Sequence, residues 1–406
     1  MNKRVLLILA ISVMVLASLF SACAPKSAQT ETIKVACIGP LSGPTADLQG
    51  KNVFGGVDTA VKEINDAGGI LGRQVEVVKV DEGTTSEQVI SAFKKAISLK
   101  VKAITGGSEA GTTDAAGPTL RDSGIPTVIG IASVEKIVTP GFSTNVFHLA
   151  AYPAQYQLVV KKLVEKKAKV MGLFTVDGGY GHQVADSVSK WWPSNTPVKI
   201  SDIVFYTWGV ADMGPELTKL VSGKPDAVFL GIWGEATIGA AVKKLRELGY
   251  KGDIIFDVAG VDEQVVKDLG ADLLEGTYTV TGWLADKSVP ESMAFAKAFE
   301  GIVGRVPNYH AALSYTAMKA VLLAMKKAGT VDDAKKITDA MWQLDFKTPW
   351  GDQFWLFPGN QMYTSWSGLM KVGGGKIVTD SLAPIAVEDF TAPIDWYGAY
   401  KKAGGK

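Results

Sequence analysis

Ile33-Lys34-Val35-Ala36-Cys37-Ile38-Gly39 leads directly into Pro40-Leu41-Ser42-Gly43-Pro44. A run of this length, apolar at nearly every position, suits a strand covered on both faces. The Gly and Pro residues behind it make a tight, accessible turn. Beyond Gly50, apolar residues fall at Val53, Val57, Ala60, Val61 and Ile64, the stripe of an amphipathic helix, and Gly68-Gly69 ends it. Val75–Asp81 then alternates as a second strand. Strand, turn, helix and strand make one βαβ unit, and the unit recurs along the chain.

Ser86 is placed to cap the next helix, whose core face is Val89, Ile90, Phe93 and Ile97. Further buried strands are expected at 101–105, 126–129 and 170–175. The second half repeats the pattern with strands at 199–206, 227–231 and 254–256, a helix at 212–222, and another that carries Ile238, Ala241, Val242, Leu245 and Leu248 and stops at Gly249. Continuous apolar strands alternating with amphipathic helices imply parallel sheets covered on both faces. Two such series predict an α/β protein with two doubly wound, Rossmann-like lobes. After Gly282 three helices dominate, at 290–304, 311–329 and 332–342, and short strands follow near 353–357 and 367–371. Such late elements complete both lobes, so the chain crosses between them several times. The boundaries expected are 32–148 with 278–352 for lobe 1, and 149–277 with 353–400 for lobe 2.

Ahead of the first strand, Lys3 and Arg4 precede a sixteen-residue apolar run, Val5 to Phe20, and then Ser21, Ala22 and Cys23. A basic tip, a short apolar segment and small residues form a secretory leader. The run falls short of the roughly 20 residues that span a bilayer. A cysteine straight after the small pair resembles a bacterial lipobox, with Phe20 where Leu is usual, so residues 1–23 are expected to be a lipoprotein signal peptide. Cys23 then carries the lipid, and 24–31 is a flexible tether. The mature chain is expected to be extracytoplasmic and tethered to the membrane. About 380 residues follow the leader, more than one typical core. Lys+Arg 42 against Asp+Glu 41 leaves no basic excess for a phosphate backbone, so nucleic acid is not a partner. Cys37 reads as a small buried hydrophobe, and no second apolar span occurs.

In open α/β sheets, ligands sit beyond the carboxyl ends of strands. Six loops fall there: Gly39 to Pro44; Gly106-Gly107-Ser108-Glu109-Ala110-Gly111-Thr112-Thr113; Gly130-Ile131-Ala132-Ser133; Asp177-Gly178-Gly179-Tyr180-Gly181; Gly231-Ile232-Trp233-Gly234-Glu235; and Phe256-Asp257-Val258. Small residues let a ligand approach the backbone, and Thr112 and Thr113 bring hydroxyls to a helix start. Pro118 delays or kinks that helix. A tyrosine in a glycine-rich turn, Tyr180, presents a ring and a hydroxyl together. Enzyme readings are weak. Only His148, His182 and His310 occur, no Gly-x-Ser-x-Gly elbow exists, no zinc spacing is present, and Gly373-Gly374-Gly375-Lys376 lacks the phosphate-loop pattern. No metal site and no cofactor are expected.

The ordered set Ile38 to Pro44, Glu63-Ile64-Asn65, Gly68-Gly69-Ile70-Leu71-Gly72-Arg73, Val80-Asp81, Asp122-Ser123-Gly124-Ile125-Pro126, Tyr180-Gly181, Asp226-Ala227-Val228 and Leu274-Glu275-Gly276 resembles the type I solute-binding proteins, the Leu/Ile/Val-binding group that serves ABC importers. The resemblance covers nearly the whole mature chain. It implies two lobes joined by three crossing strands that close on a ligand by a hinge motion, with ABC permease subunits as partners. It further implies that loop hydroxyls hold a ligand carboxylate. One of these positions matches Ser133, beside Ala132. The other falls on Ala110, next to Gly111, so Ser108 or Thr112 must substitute. Tyr180 matches the cleft tyrosine of the family and Trp233 its aromatic neighbour. The acid that holds a ligand amine falls on Val258, with Asp257 one place away. His148 stands where many relatives have arginine, and Tyr152 lies beside it. The resemblance implies a branched-chain or related amino acid as ligand. The departures at 110 and 258 leave an aromatic or other small carboxylate, or an amide, as a second reading. A ligand-sensing module with a signalling partner has the same fold.

Overall fold

The computed structural model describes residues 31–384 apart from 44, 135, 138–141, 150–152, 211, 352–353, 355, 358–360 and 363–365. Cys23, the tether up to residue 30, and Tyr152 lie outside the described residues. The chain opens with β1 (Ile33–Gly39), a single π-helical turn (Ala46–Gly50), α1 (Lys51–Asp66), β2 (Val75–Asp81) and α2 (Ser86–Ser98). β3 (Ile104–Gly106), α3 (Ala110–Ala115), α4 (Gly117–Ser123), β4 (Thr127–Ile129) and β5 (Val146–His148) complete the first run. The second run is α5 (Pro153–Lys167), β6 (Val170–Val176), α6 (Gly179–Lys190), α7 (Trp192–Asn195), β7 (Lys199–Tyr206), α8 (Gly214–Ser222) and β8 (Ala227–Gly231). α9 (Glu235–Glu247), β9 (Asp253–Phe256), α10 (Glu263–Leu269), α11 (Ala271–Leu274) and β10 (Tyr278–Thr281) end it. Helices α12 (Pro290–Val303), α13 (Tyr309–Ala328) and α14 (Ala334–Met341) precede β11 (Leu356–Phe357), β12 (Gln361–Met362), β13 (Trp366–Gly373) and β14 (Lys376–Pro384).

These strands form two seven-stranded sheets, β11-β12-β5-β4-β3-β1-β2 and β14-β13-β10-β9-β8-β6-β7. Within each, the central strands run parallel, as in the registers Val35↔Val77 and Leu173↔Phe229. Each sheet is therefore a doubly wound lobe, as the sequence pattern requires. The chain passes from one lobe to the other three times: after β5, between β10 and α12, and between β12 and β13.

The lobe boundaries differ from those expected. Residues 278–281 were assigned to lobe 1, but β10 pairs with β9 and β13 in the second sheet. Residues 356–362 were assigned to lobe 2, but β12 pairs with β5 through Gln361↔His148 at the edge of the first. Both strands are too short for sequence to say which sheet they extend. Local signals fare better. The start of α2 is a capping box, with Thr85 rather than Ser86 as the cap, accepting from the Gln88 amide. Pro118 does break its helix: α3 ends at Ala115 and α4 restarts with proline in its first turn.

Helices α1 and α13 pack on each other over the first sheet, burying Val57, Ala60, Leu313 and Met318 completely. Gly56 permits the approach, because a methyl group there would strike the Ala311 carbonyl. The second lobe has its own core around Phe174, Leu230 and Phe256. Among the described residues no helix is long and apolar enough to cross a membrane.

Candidate functional site

The carboxyl ends of both sheets face a shared cleft of about 710 Å³. The first lobe lines it with the segment after β1, through Thr45 and Gln49, and with the loops after β2, β3 and β4. The second lobe contributes the loops after β6, β7, β8 and β9, and Tyr156 of α5 with Tyr309 and His310 of α13 complete the wall.

Its apolar surface is aromatic. Tyr180 and Trp233 meet edge to face, 5.5 Å between ring centroids. Tyr156 and Tyr309 meet the same way at 6.3 Å and share a 3.1 Å hydrogen bond between hydroxyls. Trp233 is fixed by its indole N–H, which donates to the Val258 carbonyl at 3.0 Å. Rings locked in this way offer flat contact area at little cost in side-chain entropy.

Ser and Thr hydroxyls outnumber the acids in the cleft lining, and its carboxyl groups are Glu82, Glu109 and Asp177. Glu82 is buried at the end of β2 and accepts the Ser108 amide at 3.1 Å. Burial, with the negative charges of Asp81 and Glu109 nearby, pushes its carboxyl up to about 7. Asp257 stands directly behind the Tyr180 hydroxyl and is only 1% exposed. Burial pushes it up to about 6, against the stabilising contacts of the Val258 amide and Tyr180. Neither Asp257 Oδ2 nor the Tyr180 hydroxyl completes a hydrogen bond of good geometry. His310 is 6% exposed, and burial pulls it down to about 4, so its ring is neutral at pH 7. Its Nδ1 has no hydrogen-bond partner among the described residues, whereas the Ser108 hydroxyl lies against the Glu82 carboxyl. No lysine or arginine lines the cleft among the described residues.

Two contacts tie the lobes together at this cleft. Glu109 caps α3, accepting the Thr112 amide at 2.7 Å, and its other oxygen accepts the Tyr180 amide of α6 at 3.2 Å. Gln183 of α6 donates to the Ser133 carbonyl at 2.8 Å.

Of the residues singled out by sequence, Ser108, Gly111, Thr112, Ser133, Tyr180 and Trp233 line this cleft together. Ala110 and Ala132 are buried beneath its floor, and Asp257 lies behind its wall with Val258 at the surface. His148 is wholly buried, its ring on the Ala132 carbonyl at 2.8 Å. Sequence reading passed over Glu82, Glu109, Tyr156 and the pair Tyr309-His310. Glu82 obeys the strand-end rule that selected the other loops. Glu109 sits among small residues in the 106–113 loop, where nothing local separates it from a solvated acid. Tyr309 and His310 open a helix far along the chain, and only the topology brings them here.

Two lobes around a cleft of rings and polar groups define a protein built to enclose a small molecule. Among the described residues no cluster of His, Cys, Asp and Glu could hold a metal ion. The chain belongs to the periplasmic binding protein family, whose sequence profile matches residues 32–376. It is a solute-binding protein of the ABC-transporter kind, and the family is extracytoplasmic. It is 28% identical over 312 residues to the Leu/Ile/Val-binding protein BraC3 of Rhizobium johnstonii, covering 76% of this chain and 83% of that one. It is 23% identical over 327 residues to the leucine-, isoleucine-, valine-, threonine- and alanine-binding protein of Pseudomonas aeruginosa, covering 80% and 86%. Among solved structures, the branched-chain amino acid binding protein LivJ of Streptococcus pneumoniae, in complex with isoleucine, superposes with a TM-score of 0.76 at 23% identity, covering 87% of this chain and 99% of that one. A solute-binding protein of R. palustris in complex with benzoate gives 0.80 at 22% identity, covering 90% and 100%.

Proposed function

We propose that this chain is the lipid-anchored receptor of an ABC importer, held at the membrane through Cys23, and that its cargo is a branched-chain or related amino acid. In general terms the cargo carries a protonated amine on an apolar body. One observation carries the reading: a buried carboxyl, Asp257, stands against the Tyr180 hydroxyl at the wall of a cleft lined by aromatic rings and, among the described residues, by no lysine or arginine. A buried ammonium needs an acidic partner. That partner was sought at position 258, where Val258 stands, and Asp257 and Glu82 are the groups available for it. Branched-chain binding by the relatives from R. johnstonii and P. aeruginosa supports the same class.

Benzoate in the R. palustris protein makes an aromatic acid the natural competitor. The buried Asp257 carboxyl disfavours it here, since benzoate brings no amine to pair with it. Titration calorimetry of the mature chain against leucine, isoleucine, valine and benzoate tests the assignment. Binding to one or more of the amino acids and none to benzoate is expected. Silence toward all three amino acids, or a benzoate complex, rejects it. The receptor leaves its ligand unaltered, so ligand recovered after incubation is chemically identical to ligand added. Cys23→Ala should release the protein from the membrane fraction.

A further inference from the structure

An amino acid brings a carboxylate as well as an amine. In a cleft lined by no lysine or arginine among the described residues, that carboxylate depends on N–H and O–H donors. Three backbone amides of cleft-lining residues are already held by the protein's own acids. The Ser108 amide donates to Glu82 at 3.1 Å, the Thr112 amide to one oxygen of Glu109 at 2.7 Å, and the Tyr180 amide to the other at 3.2 Å. Glu82 is 6% exposed and serves its own lobe, so it is a fixture. Glu109 differs on both counts. It is half-buried, so its carboxylate can be rehydrated, and its two oxygens reach different lobes. Thr112 belongs to α3, whereas Tyr180 stands in the first turn of the twelve-residue α6, where the helix amides favour an anion. Gly178, the N-cap of α6, supplies no side chain for that role. Two glycines leave the space. A methyl group on Gly179 would lie 3.0 Å from Glu109 Oε1, and one on Gly111 3.4 Å from Oε2.

We propose that Glu109 is an internal competitor for the ligand carboxylate: by bridging the Thr112 and Tyr180 amides it ties the two lobes together, and it swings out when the carboxylate of an amino acid takes those amides. The proposal rests on the amino-acid reading of the cleft and adds to it a residue that sets the affinity. The two amides serve one carboxylate in either state, and only its owner changes. Binding is weakened by the share of molecules in which Glu109 holds the amides.

Small-angle scattering without added ligand, and titration calorimetry with leucine, isoleucine and valine, test it on wild type, Glu109→Gln and Glu109→Ala. Both variants should show a larger radius of gyration than wild type, because the tie to α6 is weakened or gone. Both should bind the amino acid about threefold or more tighter, Glu109→Ala the more so. Leucinamide, which brings no carboxylate to the two amides, should show no such gain. Glu109→Ala also strips α3 of its cap, and if it fails to fold the Gln variant decides alone. Amino-acid affinity that is unchanged or falls in the variants, an equal gain for leucinamide, or an unchanged radius overturns the proposal and leaves the amino-acid reading standing. Silence of all the proteins toward all three amino acids rejects that reading and the proposal with it.

Discussion

Asn308 and Asp262 each cap a helix with one side-chain atom and hold each other with the next. Asn308 Oδ1 accepts the His310 and Ala311 amides at the start of α13, and Asp262 Oδ1 accepts the Val265 amide at the start of α10. Between them Asn308 Nδ2 donates to Asp262 Oδ2 at 3.0 Å, lobe to lobe. Arg305 stands over the pair, 3.5 Å from Asp262, and donates to the Asp47 carbonyl at 3.2 Å. The helix that delivers His310 to the cleft is therefore fixed by the same residue that fastens the lobes.

The two roles of Asn308 separate by substitution. Asn308→Ala removes cap and bridge together and should cost about 1–2 kcal/mol of folding stability. Asn308→Asp keeps the capping oxygen but sets a carboxylate against Asp262. It should unfold nearer to wild type while its ligand-free radius of gyration grows. Small-angle scattering with thermal melting checks both. Equal radii for wild type and Asn308→Asp would show that this bridge does not hold the lobes.

Tyr180 is the cleft residue with the most to lose. Its ring supports Trp233 and its hydroxyl faces Asp257. Tyr180→Ala should weaken ligand binding by about 1–3 kcal/mol, the range for a truncated aromatic anchor with a hydrogen bond. Tyr180→Phe isolates the hydroxyl and should lose about 1 kcal/mol. Trp233→Ala should also weaken binding, and less than additively with Tyr180→Ala because the rings touch. Affinity untouched in Tyr180→Ala removes this residue from the site.

The two lobes were legible because apolar strands and amphipathic stripes are local patterns, and Ile33–Gly39 with its helix is already a complete βαβ statement. Most cleft loops were legible for a related reason, since strand ends place them. What escaped was non-local. Tyr278–Thr281 carries nothing in its own residues that chooses between sheets, and pairing with β9 and β13 decides it. Glu109 looks like a solvated loop acid until α6 of the other lobe arrives beside it. Asp257 stood one place from the expected acid, and burial behind Tyr180 is what makes it significant.

Acid–base behaviour follows from the buried groups with opposite signs. Glu82 titrates near 7 in the fold against an ordinary 4.5, so between those values the native state holds a proton that the unfolded chain has lost. Stability from this group is whole below pH 4.5 and is lost as pH rises to 7, by about 3 kcal/mol for a shift of that size. Asp257, raised from 3.8 to about 6, acts in the same direction over its own window. His310, lowered from 6.5 to about 4, acts oppositely: stability grows as pH rises from 4 to 6.5. Glu82→Gln removes this group alone, so wild-type stability should fall relative to the variant's as pH rises from about 5 to 7. Denaturant unfolding across that interval measures it. Binding an amine favours the ionised carboxylates, so uptake near pH 6 should release protons. Calorimetry in buffers of different ionisation heat would register them, and equal apparent enthalpies would refute the coupling.

Closure itself has a steric signature at Gly179. A methyl group there would collide with the backbone nitrogen and Cα of Gly111 across the cleft and press on Glu109. Backbone cannot swing aside as a long side chain can, so the lobes must part to admit it. Within its own lobe the substitution is benign, because Gly179 begins α6 and alanine suits a helix better than glycine. Gly179→Ala should therefore melt at or slightly above the wild-type temperature. Its ligand affinity should fall about tenfold or more, and scattering should show a more open molecule with ligand present. The opposed movement of stability and affinity separates a closure defect from a folding defect. A Gly179→Ala protein that binds like wild type would mean that ligand is held without Gly111 and Gly179 coming together.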